Sequence, residues 1–272
     1  MKLFSKHLLV IVLSFIPVSG IFAQPTDREA NYAGSLVRFK TLMCYSENVD
    51  KEHLEFALQS IEFFKKLTVG HGFDVESTTD LASYSLEELK KFSVIFTLNA
   101  PIIDKKEREL FEAYMEQGGG WIGFHDAGYN DKTTDWPWFV QFLGGCVFKC
   151  NNWPPQPLLL ALDTTTHPVT KNLPVEFVAP ANEYFQWNPE PRDNADVDIL
   201  VSISPKNYPV GLKDIVYGGD WPVVWTNKNY RMVYLNFGHG DEEYSDATQN
   251  LLIINAFRWV VSKDPDGNPF DK

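Results

Sequence analysis

The chain has 272 residues, with 24 Lys and Arg against 36 Asp and Glu and a formal net charge of −12. That balance argues against a nucleic-acid backbone as partner, because such binding needs clustered cations. With an N-terminal export segment set aside, the length suits one large α/β domain with a substantial core.

Residues 1–23 read as a secretory signal peptide. Lys2 and Lys6 precede the apolar run 8–16, small or apolar residues lead to Ala23, and cleavage is expected between Ala23 and Gln24. An uncleaved anchor is the alternative, but Pro17, Ser19 and Gly20 break the run short of bilayer length. The expected product is exported, periplasmic or secreted, with no membrane span. Residues 24–35 read as a polar tail, 36–265 as a single domain and 266–272 as a C-terminal tail.

Within the domain, 36–44 reads as a first strand. Asp50 is placed to cap a helix to about Leu67, because Leu54, Ala57, Leu58, Ile61 and Phe64 recur at helical spacing. His53 falls in the first turn of that helix. Gly70 and Gly72 break it, and 73–77 alternates as a short strand. A helix over 85–91 carries a capping pattern, Ser85 followed by Glu88. Residues 92–98 form a buried strand, and 104–117 the next helix. Gly118 to Gly120 then release the chain into an apolar run, 121–124, that stops at His125 and Asp126 before Gly128. Strand and helix alternating in this rhythm predict a parallel sheet with helices on both faces.

After Gly128 the pattern loosens. A short helix begins at 135–140 and ends at Gly144 and Gly145, and 158–162 and 198–204 read as strands. Between them lies a proline-rich stretch holding His167, Pro168, Glu183 and Tyr184. A hairpin is expected from 222–226 and 231–237, and 246–261 closes the domain as an amphipathic helix.

Cys44, Cys146 and Cys150 are an odd number for an exported protein. Cys146 and Cys150 are spaced to pair as a disulfide, to remain as buried thiols, or to hold metal, though no second Cys/His pair stands at finger spacing. Eight tryptophans suit a sugar platform as well as a core. Two histidines, His125 and His239, end apolar strands beside glycines, and each has acids next to it, Asp126 for the first and Asp241 and Glu242 for the second. Such neighbours orient an imidazole or raise its pKa.

The run GGGWIGFHDAG from Gly118 to Gly128, the earlier His53, HPVTKNLP from His167 to Pro174, NEYFQW from Asn182 to Trp187, and PVVWTNKNYRMVYLNFGHGDEEY from Pro222 to Tyr244 occur together in one chain. Together they resemble the trehalose-utilisation (ThuA-like) family. The resemblance implies a flavodoxin-like, class I glutamine amidotransferase-like fold. In amidotransferases the turn after the strand equivalent to 121–124 carries a nucleophilic cysteine; here His125 stands in its place, so thiolate hydrolysis of glutamine is not expected. The first strand ends in Cys44, Tyr45, Ser46 and Glu47, where many relatives have a more glycine-rich turn.

The resemblance further implies a small-molecule sugar as partner and acid–base chemistry (hydrolysis, elimination or epimerisation) on a sugar or glycoside, its 3-keto form included. Carried over by position, His125, His239, Glu183, Tyr184 and Asp126 are the catalytic candidates, and His53, Tyr45, Trp187 and Asp241 the substrate-binding ones. His53, His125 and His239, with Glu183, are also acceptable ligands for zinc or another divalent ion, which would make the chain a metal-dependent hydrolase. A non-catalytic sugar-binding protein is the third reading.

Overall fold

A computed structural model describes residues 39–207, 219–239, 242 and 244–262. The signal peptide, both tails and Asp241 lie outside the described residues. Among those described, no helix is long and apolar enough to cross a membrane.

The chain runs β1 (Phe39–Tyr45), α1 (Lys51–Leu67), β2 (Phe73–Thr78), α2 (Leu86–Leu89), β3 (Phe92–Leu98), α3 (Lys105–Glu116) and β4 (Gly120–Phe124). A 3-10 turn, His125–Gly128, and α4 (Pro137–Leu143) follow. Then come β5 (Phe148–Asn151), β6 (Gln156–Leu162), β7 (Glu176–Asn182), β8 (Phe185–Trp187), β9 (Val197–Ile203), β10 (Pro222–Asn227), β11 (Arg231–Leu235) and α5 (Ala247–Val261). The expected helix starts have physical caps. Asp50 accepts from the His53 amide, Asp246 from that of Gln249, and Ser85 and Glu88 form a reciprocal capping box.

Nine strands form one sheet in the order β2-β1-β3-β4-β11-β10-β9-β6-β7. The first five run parallel, each joined to the next in parallel register. The remaining pairings are antiparallel, beginning with the expected β10–β11 hairpin. The class is therefore the expected flavodoxin-like α/β fold, with an antiparallel wing added to the parallel half.

The loosely patterned region after Gly128 contains three strands that the sequence reading does not resolve, two of them in the proline-rich stretch. They are β5, β7 and β8, and β5 pairs with β8 in a separate two-stranded sheet. β8 is three residues long and β7 carries Pro180, so neither shows a usable period.

Alternation along the strands feeds two cores. On one face Phe56 and Phe64 of α1 and Leu252 and Phe257 of α5 pack against Phe96, Ile122 and Leu235. On the other, Phe111 and Tyr114 of α3 and Phe139 and Phe142 of α4 pack against Ile95, Trp121 and Tyr234. Each such fully buried side chain contributes about 1.5–3 kcal/mol relative to exposure, so the sheet is held rigidly from both sides. None of the three cysteines is in a disulfide: Cys146 Sγ faces the Leu143 carbonyl at 3.7 Å, and Cys150 Sγ faces Gln186 Oε1 at 3.5 Å. The Cys146–Cys150 pairing is therefore absent from the fold, each thiol being turned to a different neighbour.

Candidate functional site

The carboxyl ends of parallel strands are where open α/β sheets bind ligands, and three of them supply histidines here. His53 follows β1, in the first turn of α1. Asp50 sets it in two ways: Oδ1 accepts the His53 backbone N–H at 3.0 Å, and Oδ2 lies 2.7 Å from the ring Nδ1. One residue thus starts the helix and orients the imidazole.

His125 follows β4 with φ +45°, a left-handed backbone that costs a β-carbon residue energy and clusters at functional turns. The Tyr234 hydroxyl, from the neighbouring β11, donates to the His125 carbonyl at 2.7 Å and holds the turn. The same tyrosine explains Gly128, since a β-carbon there would stand 2.3 Å from its ring. The expectation that this turn is the counterpart of a nucleophile elbow thus finds a strained backbone, with histidine at its tip.

His239 follows β11. Its turn is gripped by buried asparagines: Asn182 Oδ1 accepts the backbone N–H groups of Gly238 and His239, both at 3.1 Å, and the Asn99 amide donates to the Gly238 carbonyl. Gly238 has φ +137° with Asn99 Oδ1 2.9 Å from where a β-carbon would sit, so no other residue fits.

The three rings converge. Centroid separations are 5.3 Å for His53–His125, 4.5 Å for His53–His239 and 5.6 Å for His125–His239. Two carboxylates join them. Glu183, on the link between β7 and β8, accepts from His239 Nδ1 at 2.6 Å and approaches His125 Nε2 to 3.9 Å. Asn151 of β5 donates to its other oxygen, and Asn236 ties β8 to the main sheet by bonding both the carbonyl and the amide of Phe185. The small sheet is therefore a bracket that brings Glu183 over the strand ends. Asp126 stands 3.9 Å from His125 Nε2 and 3.7 Å from His53 Nδ1, beyond hydrogen-bond range.

These environments separate the titrations. His125 is only 1% exposed, and burial together with the neighbouring imidazoles holds its pKa well below the ordinary value. Burial also lowers that of His53, with His239 adding to the effect. For His239 burial pulls down, but the hydrogen bond and charge of Glu183, backed by Asp50 and Glu52, outweigh it and hold the pKa above normal. Burial and the nearby Glu183 and Asp50 push the Asp126 carboxyl up to about 6.

Five of the nine candidates, His53, His125, His239, Glu183 and Asp126, thus form one cluster. Three others lie elsewhere. Trp187 is fully buried against Trp225 and Tyr234, so it is a core residue and not a substrate contact. Tyr184 is likewise fully buried, in the core on the α1 face, which leaves it no open side for substrate. Tyr45 lines a different cavity of about 410 Å³, with Thr97 and Asp104. Sequence reasoning misses Asn99 and Asn182, which grip the His239 turn, and Asn236, which ties the bracket to the sheet. Their one signal in the sequence is that each is a polar residue at or near the end of an apolar strand. Trp153, unremarked in the sequence, has its ring centroid 6.3 Å from that of His239.

The residues also fit a metal ion. One ligand atom from each of His53, His125 and His239 lies within 4.8 Å of the others. Two of the three rings have Nδ1 held by a carboxylate, the usual outer support of metal-binding histidines, and His53 Nε2 is buried without a partner.

The family model described as trehalose utilisation (ThuA) matches residues 42–260. A ThuA-like protein from Bacteroides uniformis is 61% identical, with a TM-score of 0.84, the match covering 88% of this chain and 97% of that one. A ThuA-like protein from Parabacteroides merdae is 18% identical, with a TM-score of 0.57 over 84% of this chain and 92% of that one. A cytoplasmic protein from Salmonella typhimurium shares the fold at 13% identity and TM-score 0.53, over 81% and 98% of the two chains. No curated protein matches. The chain belongs to the trehalose-utilisation (ThuA) family.

Proposed function

We propose that this chain is an exported carbohydrate-active enzyme that performs acid–base chemistry on a small sugar or glycoside, its 3-keto form included. One observation carries the reading: His125 and His239 meet at neighbouring strand ends in surroundings that push their pKa values in opposite directions. Pairs separated in this way divide the roles of base and acid. His239, charged through Glu183, donates a proton to a leaving or carbonyl oxygen. His125, kept neutral, removes a proton from the sugar carbon or from water. Glu183 positions and charges His239, and Asp126 stands ready to exchange a proton near neutrality. The family's description as trehalose utilisation supports a sugar substrate, and the apolar run behind Lys2 and Lys6 supports export.

The test is turnover of a keto-glycoside by His239→Ala and His125→Asn, asparagine being chosen because it tolerates the left-handed backbone. Each loses at least about 100-fold in rate while keeping the native circular dichroism and melting point. Unchanged turnover in both variants refutes the assignment.

A second reading is favoured by the carboxylate-held Nδ1 atoms and the unpartnered His53 Nε2. There the three histidines hold a divalent ion, zinc being suited to three imidazoles. Such an ion supplies Lewis acidity and an activated water. Elemental analysis of the purified protein distinguishes the two: a stoichiometric metal lost in His53→Ala favours this reading, and no uptake after zinc loading excludes it.

A further inference from the structure

We propose that the pocket in front of His239 seats an uncharged sugar ring on Trp153 and turns away phosphorylated and uronic sugars. This rests on the sugar-enzyme reading above and names its substrate class. The pocket measures about 580 Å³ and is bounded by Asp50, Glu52, Trp153, His239 and Glu242. That volume falls within the roughly 300–1,000 Å³ usual for small-molecule sites.

Trp153 is 39% exposed, whereas the other seven tryptophans are buried or half-buried. Its ring lines the cavity beside the proposed acid, with its centroid 6.3 Å from that of His239. A flat ring in that position suits the apolar C–H face of a pyranose, which leaves the sugar hydroxyls pointing at the walls. Those walls are acceptors. Asp50, Glu52 and Glu242 offer carboxylate oxygens that take O–H donors, and Glu183 lies behind His239.

No lysine or arginine is among the described lining residues. Lys51, next to Glu52 in sequence, is turned to Glu55 at 2.9 Å. A phosphate or carboxylate entering this pocket would be desolvated against the carboxylates of Asp50, Glu52 and Glu242, and the one cation on the described lining, the His239 imidazolium, is already paired with Glu183. Hydroxyls meet no such penalty.

Direct binding, by tryptophan fluorescence and calorimetry, tests the inference without requiring turnover. The probes are trehalose, sucrose and the methyl glucosides and galactosides, each glucoside and galactoside beside its 6-phosphate and its uronic acid. At least one neutral probe quenches fluorescence on binding, and its charged counterparts bind about tenfold or more weakly. Trp153→Ala abolishes the quench and weakens binding about tenfold. Glu52→Gln combined with Glu242→Gln narrows the gap between charged and neutral probes.

A charged counterpart that binds as tightly as its neutral partner overturns the selectivity, as does Trp153→Ala with unaltered affinity. If such a charged sugar is also turned over in a His125-dependent way, the sugar-enzyme reading survives and this inference alone falls. If no sugar of either kind binds or is processed, both fall.

Discussion

The elbow at His125 is the most sharply testable piece of the architecture. Tyr234→Phe keeps the ring, which packs 4.4 Å from Trp225, and removes only the hydroxyl that donates to the His125 carbonyl at 2.7 Å. Stranding a buried carbonyl costs about 1–3 kcal/mol. The left-handed backbone of His125 stores a further strain of about 1–3 kcal/mol, which the lost bond no longer restrains, so the turn relaxes. In a domain of this size each kcal/mol moves the melting temperature by about 2–4 °C, giving an expected drop of roughly 2–12 °C. Displacing a catalytic group by about 1 Å costs up to about 100-fold in rate, so turnover falls about ten- to hundredfold at temperatures where the variant is fully folded. The control is Tyr114→Phe, whose hydroxyl bonds to Phe92 and Gly120 at the other end of the strands. It should lose comparable stability and no activity. Wild-type turnover in Tyr234→Phe, or an equal loss in Tyr114→Phe, would refute the idea that this hydroxyl positions His125.

Two further outcomes follow from the electrostatics. Because the folded pKa of His239 is raised, its pairing with Glu183 stabilises the fold fully below the unfolded value of about 6.5, and that stability is lost as pH rises through the folded pKa. Calorimetry should therefore show Glu183→Gln lowering the melting temperature more at about pH 6 than at about pH 8.5; an equal loss at both contradicts the pairing. Burial pushes the Cys44 and Cys146 thiols far up, so alkylation at neutral pH should leave turnover intact. Inactivation by iodoacetamide, prevented by Cys44→Ala or Cys146→Ala, would restore thiol chemistry to the account.

What could be read from the sequence divides along physical lines. Asp50, Ser85 with Glu88, and Asp246 mark helix starts by a local hydrogen bond, and a local bond is visible in sequence. The strand 92–98 is legible because both its faces are buried and its composition says so. Nothing local marks β7, which carries Pro180, or β8, which is three residues long and pairs back with β5, and the bracket that carries Glu183 goes unseen with them. At the site, the histidines stand out because polar residues ending apolar strands break a pattern. Their convergence depends on strand order, which places β4 beside β11 although more than a hundred residues separate them. Trp187 and Tyr184 mislead for the opposite reason: an aromatic with a polar atom reads alike whether it lines a pocket or fills a core, and only burial separates them. Trp153 is one of eight tryptophans until its exposure sets it apart.

The central claim is that the fold drives His125 and His239 to opposite protonation states. Histidine-selective NMR titration of chelator-treated protein measures this directly, with Glu183→Gln beside the wild type. The account predicts that His239 titrates above about 6.5 in the wild type and moves down in Glu183→Gln, while His125 stays neutral well below that pH in both. A His239 that is neutral at pH about 6.5, or one indifferent to Glu183, would contradict it.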